Sequence, residues 1–120
     1  MSPSWQRTWV RVQAVALYVR RRLMTGDAFI LSMLDTATPG RDVMSTSERE
    51  RALRTDATLR RVGVRCLWRS AIVTDRLRSQ GVAAYIGLAV WSADPKQAHA
   101  ECEVDGVPLR PFGSDSVRLR

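Results

Sequence analysis

The sequence predicts an α+β domain, N-terminal helices followed by a short antiparallel sheet. Three observations carry this. Up to Gln80 the apolar residues recur at helical spacing, interrupted by capping and stop signals. After Gly81 the period becomes two. Asp105-Gly106 then gives the strongest short hairpin signal in the chain. A chain of 120 residues suits one domain. Its expected parts are a helical stretch over 1–45, a core over 46–113 and a frayed tail over 114–120.

Trp5, Trp9, Val12, Ala16, Val19 and Leu23 are spaced 4-3-4-3-4, which predicts a helix over 4–24 with these residues on its core face. Arg20, Arg21 and Arg22 fall largely on the solvated side, and Gly26 ends the helix. Asp27 can cap a short second helix, which Pro39-Gly40 terminates at the latest. Thr36 to Thr46 reads as loop. Ser45-x-x-Glu48 and Ser47-x-x-Glu50 are overlapping capping boxes for a third helix reaching about Arg61, where Gly63 breaks it. A fourth helix is expected from Cys66 to Gln80, with Gly81 closing it. Val82 to Trp91 is apolar on both faces and fits a strand buried on both sides. Ser92 to Gln97 reads as a turn. Ala98, Ala100, Cys102 and Val104 then alternate with His99, Glu101 and Glu103, and Val107 to Phe112 is the expected return strand.

Composition excludes several classes. A hydrophobic fraction of 45% with 26% charged residues excludes wholesale disorder. No apolar run approaches the ~18–20 residues of a membrane span. Arg7 and Arg11 stand where an export signal needs an apolar stretch, so no such signal is expected. Cys66 and Cys102 cannot build a disulfide framework, and with the single histidine, His99, they fall short of a zinc site. A reducing cytoplasm is the simplest setting. The net charge is +7, concentrated in residues 1–80, where 15 arginines face 7 acids. That charge suits an acidic peptide, an acidic protein or a nucleic acid. No helix-turn-helix or RNA-binding signature accompanies it. The arginines from Arg49 to Arg69 read as a solvated surface or a face for partner proteins.

Cys66 is expected at a helix start after a glycine break. Unpaired amide N–H groups and the positive helix end favour thiolate there, and the same groups can donate to an oxyanion. His99 follows on a strand. A cysteine at a helix start and a histidine on a following strand is the arrangement of cysteine peptidases and transglutaminases. Both residues also have plain readings, a small buried thiol and a structural imidazole. Cys102, beside Ala100 and Val104, reads as core. Trp5 and Trp9 read as core, and Trp68 as either buried or the wall of a groove.

Four segments add a resemblance: Cys66-Leu-Trp-Arg-Ser-Ala-Ile-Val, Leu77-Arg-Ser-Gln-Gly81, Ala84-Tyr-Ile-Gly-Leu and Ala98-His-Ala-Glu-Cys-Glu-Val-Asp-Gly106. Their order and spacing resemble the transglutaminase-like cysteine peptidases of lasso-peptide biosynthesis, the protease part of the split maturation protein B. The likeness covers about residues 59–113. It implies a transglutaminase/papain-like core and removal of the leader from a ribosomally made precursor peptide. Cys66 would be the nucleophile and His99 the general base, with no cofactor and no metal. The implied partners are the precursor, a separate leader-recognition protein and the ATP-dependent macrolactam cyclase, with neither membrane nor nucleic acid.

One position departs from the family pattern. The family's orienting aspartate, twelve residues after the histidine, is here Pro111. Asp105, at the turn, is about 20 Å from His99 at strand rise and cannot orient the ring. Asp115 is the first substitute, Glu101 the second, and no acid at all the third. Glu101 also opposes Arg110 in a two-residue-turn register, which predicts a cross-strand ion pair. The departure motivates an alternative, a non-catalytic family member that binds or scaffolds in the same biosynthesis.

Overall fold

The structure, a computed structural model, describes residues 3–24, 26–91, 94–110 and 116–118, with side chains over 7–24, 26–90 and 98–110. Four helices precede the sheet: α1 (Pro3–Met24), α2 (Asp27–Met33), α3 (Thr46–Arg61) and α4 (Cys66–Ser79). The strands are β1 (Ala84–Trp91), β2 (Asp94–Val104), β3 (Val107–Pro108) and β4 (Ser116–Arg118). The sheet is antiparallel in the order β3-β2-β1-β4. The α+β class follows.

Local chemistry explains most boundaries. Ser45 caps α3 in a full capping box: its hydroxyl accepts from the Glu48 N–H at 3.2 Å, and the Glu48 carboxylate accepts from the Ser45 N–H at 2.9 Å. The overlapping Ser47 box is not used. Asp27 does not cap α2; it is the first helical residue, and Gly26 holds the cap position. Asp105 and Gly106 both adopt positive φ, 54° and 76°, as a two-residue hairpin turn with the strand twist requires. Val104 therefore pairs with Val107 and Glu103 with Pro108.

α4 is the central element. One side of it packs on β1 and β2, and it also meets α1, α2 and α3. Ile72, Val73 and Leu77 are almost fully buried against Ile86, Ala100, Cys102 and Val104. Both strands alternate, so the even-numbered residues of β1 and β2 face this helix. The odd-numbered face carries Tyr85, Gly87 and Ala89 opposite Glu103, Glu101 and His99. Glu103 is fully buried there, its carboxylate lying over Gly87, where an added Cβ would meet Glu103 Oε2 at 1.6 Å. Gly87 thus makes room for a carboxylate inside the sheet.

Four expectations are corrected. The 4-3-4-3-4 stripe of α1 is not its core face: Trp9 is 50% exposed, Val12 52% and Leu23 81%. The opposite face is buried instead, with Ala14 inside and Arg21 paired to Asp75 at 3.6 Å. α1 meets the core through Ala14, Leu17 and Tyr18, a second stripe at helical spacing, with polar contacts to α4 beside it; the Trp5 side chain lies outside the described residues. Second, β2 already begins at Asp94, and a bulge at Val90/Trp91 brings Trp91 opposite Asp94, so the turn is shorter than 92–97. Third, the return strand β3 covers only Val107–Pro108, although Leu109 N–H still donates to Cys102 O at 2.8 Å. Fourth, the tail is not wholly frayed: Ser116–Arg118 forms β4 on the far edge of β1, a non-local pairing with no local signal.

Candidate active site

Cys66 is the first residue of α4, half-buried beside the apolar core. Arg65 takes the N-cap position in an extended conformation and makes no side-chain capping bond. The first N–H groups of the helix are therefore not occupied by a capping side chain, as an oxyanion site requires. The approach to Cys66 is fixed from below. Arg69, one turn into α4, donates to the Val64 carbonyl at 2.8 Å and pairs with Asp56 at 3.1 Å. Trp68 is not an open groove wall. It packs edge-on to Tyr18 and stacked on Phe29, with centroid distances of 5.8 and 6.0 Å, and Arg22 lies 5.9 Å from its ring.

His99 is exposed on β2, opposite Ala89. It shares its face with Glu101 and Glu103, the face turned away from α4 by strand alternation. No hydrogen bond joins Cys66 to His99 among the described residues. The two nevertheless lie at the same end of the helix–strand pair. Ser70 Oγ donates to the Ala100 carbonyl at 2.9 Å, and α4 runs alongside β2 from there, with Val73 and Leu77 beside Cys102 and Val104. Four helical residues back from Ser70 is about 6 Å, which reaches Cys66. Two strand residues back from Ala100 is about 6.6 Å, which reaches Ala98, next to His99. At that level β2 has β1 on one side and no partner on the other among the described residues.

A charged cluster spans the same edge one step further along. Asp56, buried on α3, pairs with Arg69 at 3.1 Å and with Arg110 at 3.3 Å. The expected Glu101–Arg110 ion pair is therefore replaced: Arg110 goes to the better-placed Asp56. Glu101 is left beside these charges. Burial first, and then the Asp56 carboxylate, push it up to about 7, against the opposing pull of Arg110, Arg69 and Arg60. Glu101 holds a proton over much of the range below neutrality, so it makes a poor permanent anion for orienting His99. Arg69 lies three residues past Cys66, and Glu101 two past His99.

Asp115 and Pro111 lie outside the described residues. Cys102 is core, and burial drives its thiol up to about 12. The arginines from Arg49 to Arg69 do not form one face: Arg69 is tied inward to Asp56, and Arg49 donates to the Leu109 carbonyl at 3.3 Å. The sequence reading missed Asp56. Its position, four residues after Ala52 and three before Leu59, puts it on the buried face of α3, which was a usable signal. No group of three or more His, Cys, Asp and Glu is placed to hold a metal among the described residues. No described helix is long and apolar enough to cross a membrane. The chain matches no protein-family model, no curated protein and no solved structure.

Proposed function

We propose that this protein is a cysteine peptidase of transglutaminase/papain-like core that removes the leader from a ribosomally synthesised lasso-peptide precursor. The carrying observation is the placement of Cys66 at an uncapped helix start, level with His99 along β2. In this reading the Cys66 thiolate attacks the scissile carbonyl, and N–H groups of the first turn of α4 hold the oxyanion. Protonated His99 gives its proton to the leaving amine. It then takes one from the water that cleaves the thioester. His99 lies on the face of β2 turned away from α4, so this reading requires the precursor, with its leader-recognition protein, to bring it to Cys66 around the open edge of β2. The macrolactam cyclase would use the freed amine. The setting is cytoplasmic.

The test is alkylation of Cys66 by iodoacetamide at pH 7, followed by mass spectrometry, with Cys102 as an internal buried reference. We expect His99→Ala to slow Cys66 alkylation by about tenfold or more, as loss of a general base does. Leader cleavage by the protein with its recognition partner is expected to vanish in Cys66→Ala. Alkylation indifferent to His99, together with precursor binding that survives Cys66→Ala without cleavage, would establish the non-catalytic scaffold instead.

A further inference from the structure

The segment that delivers Cys66 is held without a cap. Arg65, at the N-cap position, makes no side-chain bond to the first turn of α4. Such a start is normally fixed by Ser, Thr, Asp or Asn, whose side-chain oxygen occupies first-turn N–H groups that an oxyanion would need. At α4 the hold comes from the other side. Val64, two residues before Cys66, is buried. Its N–H donates to the Leu59 carbonyl at 2.9 Å, and its own carbonyl accepts from Arg69 Nη1 at 2.8 Å. The Arg69 backbone N–H donates to the Arg65 carbonyl, also at 2.9 Å. Arg69 thus engages the carbonyls of both residues that precede Cys66.

Arg69 is in turn held by Asp56. This α3 residue is 5% exposed, and its two carboxylate oxygens have different partners. Oδ1 takes Arg69 Nε at 3.1 Å, and Oδ2 takes Arg110 Nε at 3.3 Å. Arg110 follows Leu109, whose N–H donates to Cys102 O on β2. One buried carboxylate therefore ties the helix start that carries Cys66 to the hairpin of the strand that carries His99. A buried ion pair is a poor source of stability, because taking both charges out of water offsets most of their attraction. What it supplies is direction: the planar guanidinium of Arg69 reaches Asp56 and the Val64 carbonyl at once.

We propose that Asp56 is a positioning residue: through Arg69 it fixes the start of α4, in place of a cap, so that Cys66 is held while the first N–H groups stay open to a ligand. Through Arg110 the same carboxylate references that helix start to β2. Asp56 touches neither Cys66 nor a reacting group; it acts through Arg69 and Val64. Its service to catalysis rests on the peptidase reading, whereas its hold on Cys66 does not.

The deciding comparison is iodoacetamide alkylation of Cys66 in the full chain at pH 7 and at pH 10, read by mass spectrometry, with D56L/R69M as the variant. It removes one charge of each sign, so local net charge is kept, and apolar replacement of a buried pair is often neutral for stability. A loosened helix start is expected to slow alkylation about threefold or more at pH 7, where an ordered helix end favours the thiolate. At pH 10, above the ~8.5 of a free thiol, the rate is expected to stay within about twofold. Equal slowing at both pH values, as altered access alone would give, overturns the proposal. So does an unchanged rate at pH 7. Arg110→Gln cuts the other arm of Asp56 and leaves Arg69 in place, so its rate at pH 7 is expected to stay within about twofold of the unaltered protein. Slowing there as large as in D56L/R69M would assign the effect to the charged cluster as a whole and overturns the role of the Arg69 arm. The same comparison in His99→Ala protein separates the two readings. Slowing by D56L/R69M is expected to persist there, even if His99→Ala by itself changes nothing and the peptidase reading fails. If circular dichroism shows D56L/R69M unfolded, hydrogen exchange of the unaltered protein decides. The Arg69 amide is expected to exchange within about tenfold of the Leu77 amide, and faster exchange, the mark of a frayed start, overturns the proposal.

Discussion

Glu101 is surrounded by three arginines and still resists ionisation. The reason is competition: Asp56 takes the direct ion pairs with Arg69 and Arg110, and Glu101 keeps the burial and the repulsion. Its folded value, about 7, lies above the ordinary 4.5, so the folded chain binds this proton more tightly than the unfolded one. The contribution to stability is present below the ordinary value and is lost as pH rises through about 7. We therefore predict that Tm falls between pH 5 and pH 8 and that Glu101→Gln, which cannot ionise, flattens this slope. Parallel Tm profiles for the two proteins would show that Glu101 titrates normally. At this scale the sequence showed the residue types and the strand face but not the partner. The strand pairing stops at Glu103 and Pro108, short of Glu101 and Arg110; what the spacing could not show is that a carboxylate from α3, remote in sequence, reaches the same arginine first. Cys66 at a helix start was legible because Gly63 and the apolar run after it are local signals. The placement of His99 on the far face of β2 at the level of Cys66 was not, because it depends on how α4 lies on the sheet.

Elements were legible where their ends carry their own chemistry. α3 begins where Ser45 and Glu48 exchange hydrogen bonds, and the β2–β3 hairpin turns where Asp105 and Gly106 accept positive φ. The capping box gives a direct prediction. Ser45→Ala removes the acceptor for the Glu48 N–H and is expected to cost about 1 kcal/mol, a fall in Tm of about 3–6 °C. Ser47→Ala, whose box is not formed, is expected to stay within about 0.5 kcal/mol. Equal losses at the two serines in chemical denaturation would mean that both boxes are populated. α1 shows the opposite case. Its apolar residues at alternating steps of three and four give a clear helix and the wrong face, because such a narrow stripe is equally the seam of a helix that meets another chain. Ala14, Leu17 and Tyr18 pack into the core from the other side, with Arg21 to Asp75 and Arg76 to Gln13 beside them. Both stripes have the helical period, and only their long-range partners decide which one turns inward.

Across the whole molecule, burial is distributed unevenly around α4, and that sets how the fold opens. α4 buries Ser70, Ala71, Ile72, Val73, Thr74 and Leu77, whereas Ala14 is the one α1 residue buried among those whose side chains are described. An element with little buried apolar surface detaches at a lower free energy than the global unfolding transition. Native-state hydrogen exchange is thus expected to show a gradient. Amides of α4 and β1 exchange only through global unfolding, and those of α1 through an earlier local opening. Ile72→Ala tests the division, because Ile72 is fully buried where α4 meets Ile86 and Ala100. The substitution is expected to cost about 2–5 kcal/mol of a total near 5–15. Exchange in α4 and β1 then accelerates by the full amount, while exchange in α1 changes little as long as its local opening remains the cheaper route. If α1 amides slow and accelerate together with those of α4, then the helix is an integral part of the core, and its exposed stripe is not the face of a loosely held element. If they separate, α1 opens by itself without disturbing the helix that presents Cys66.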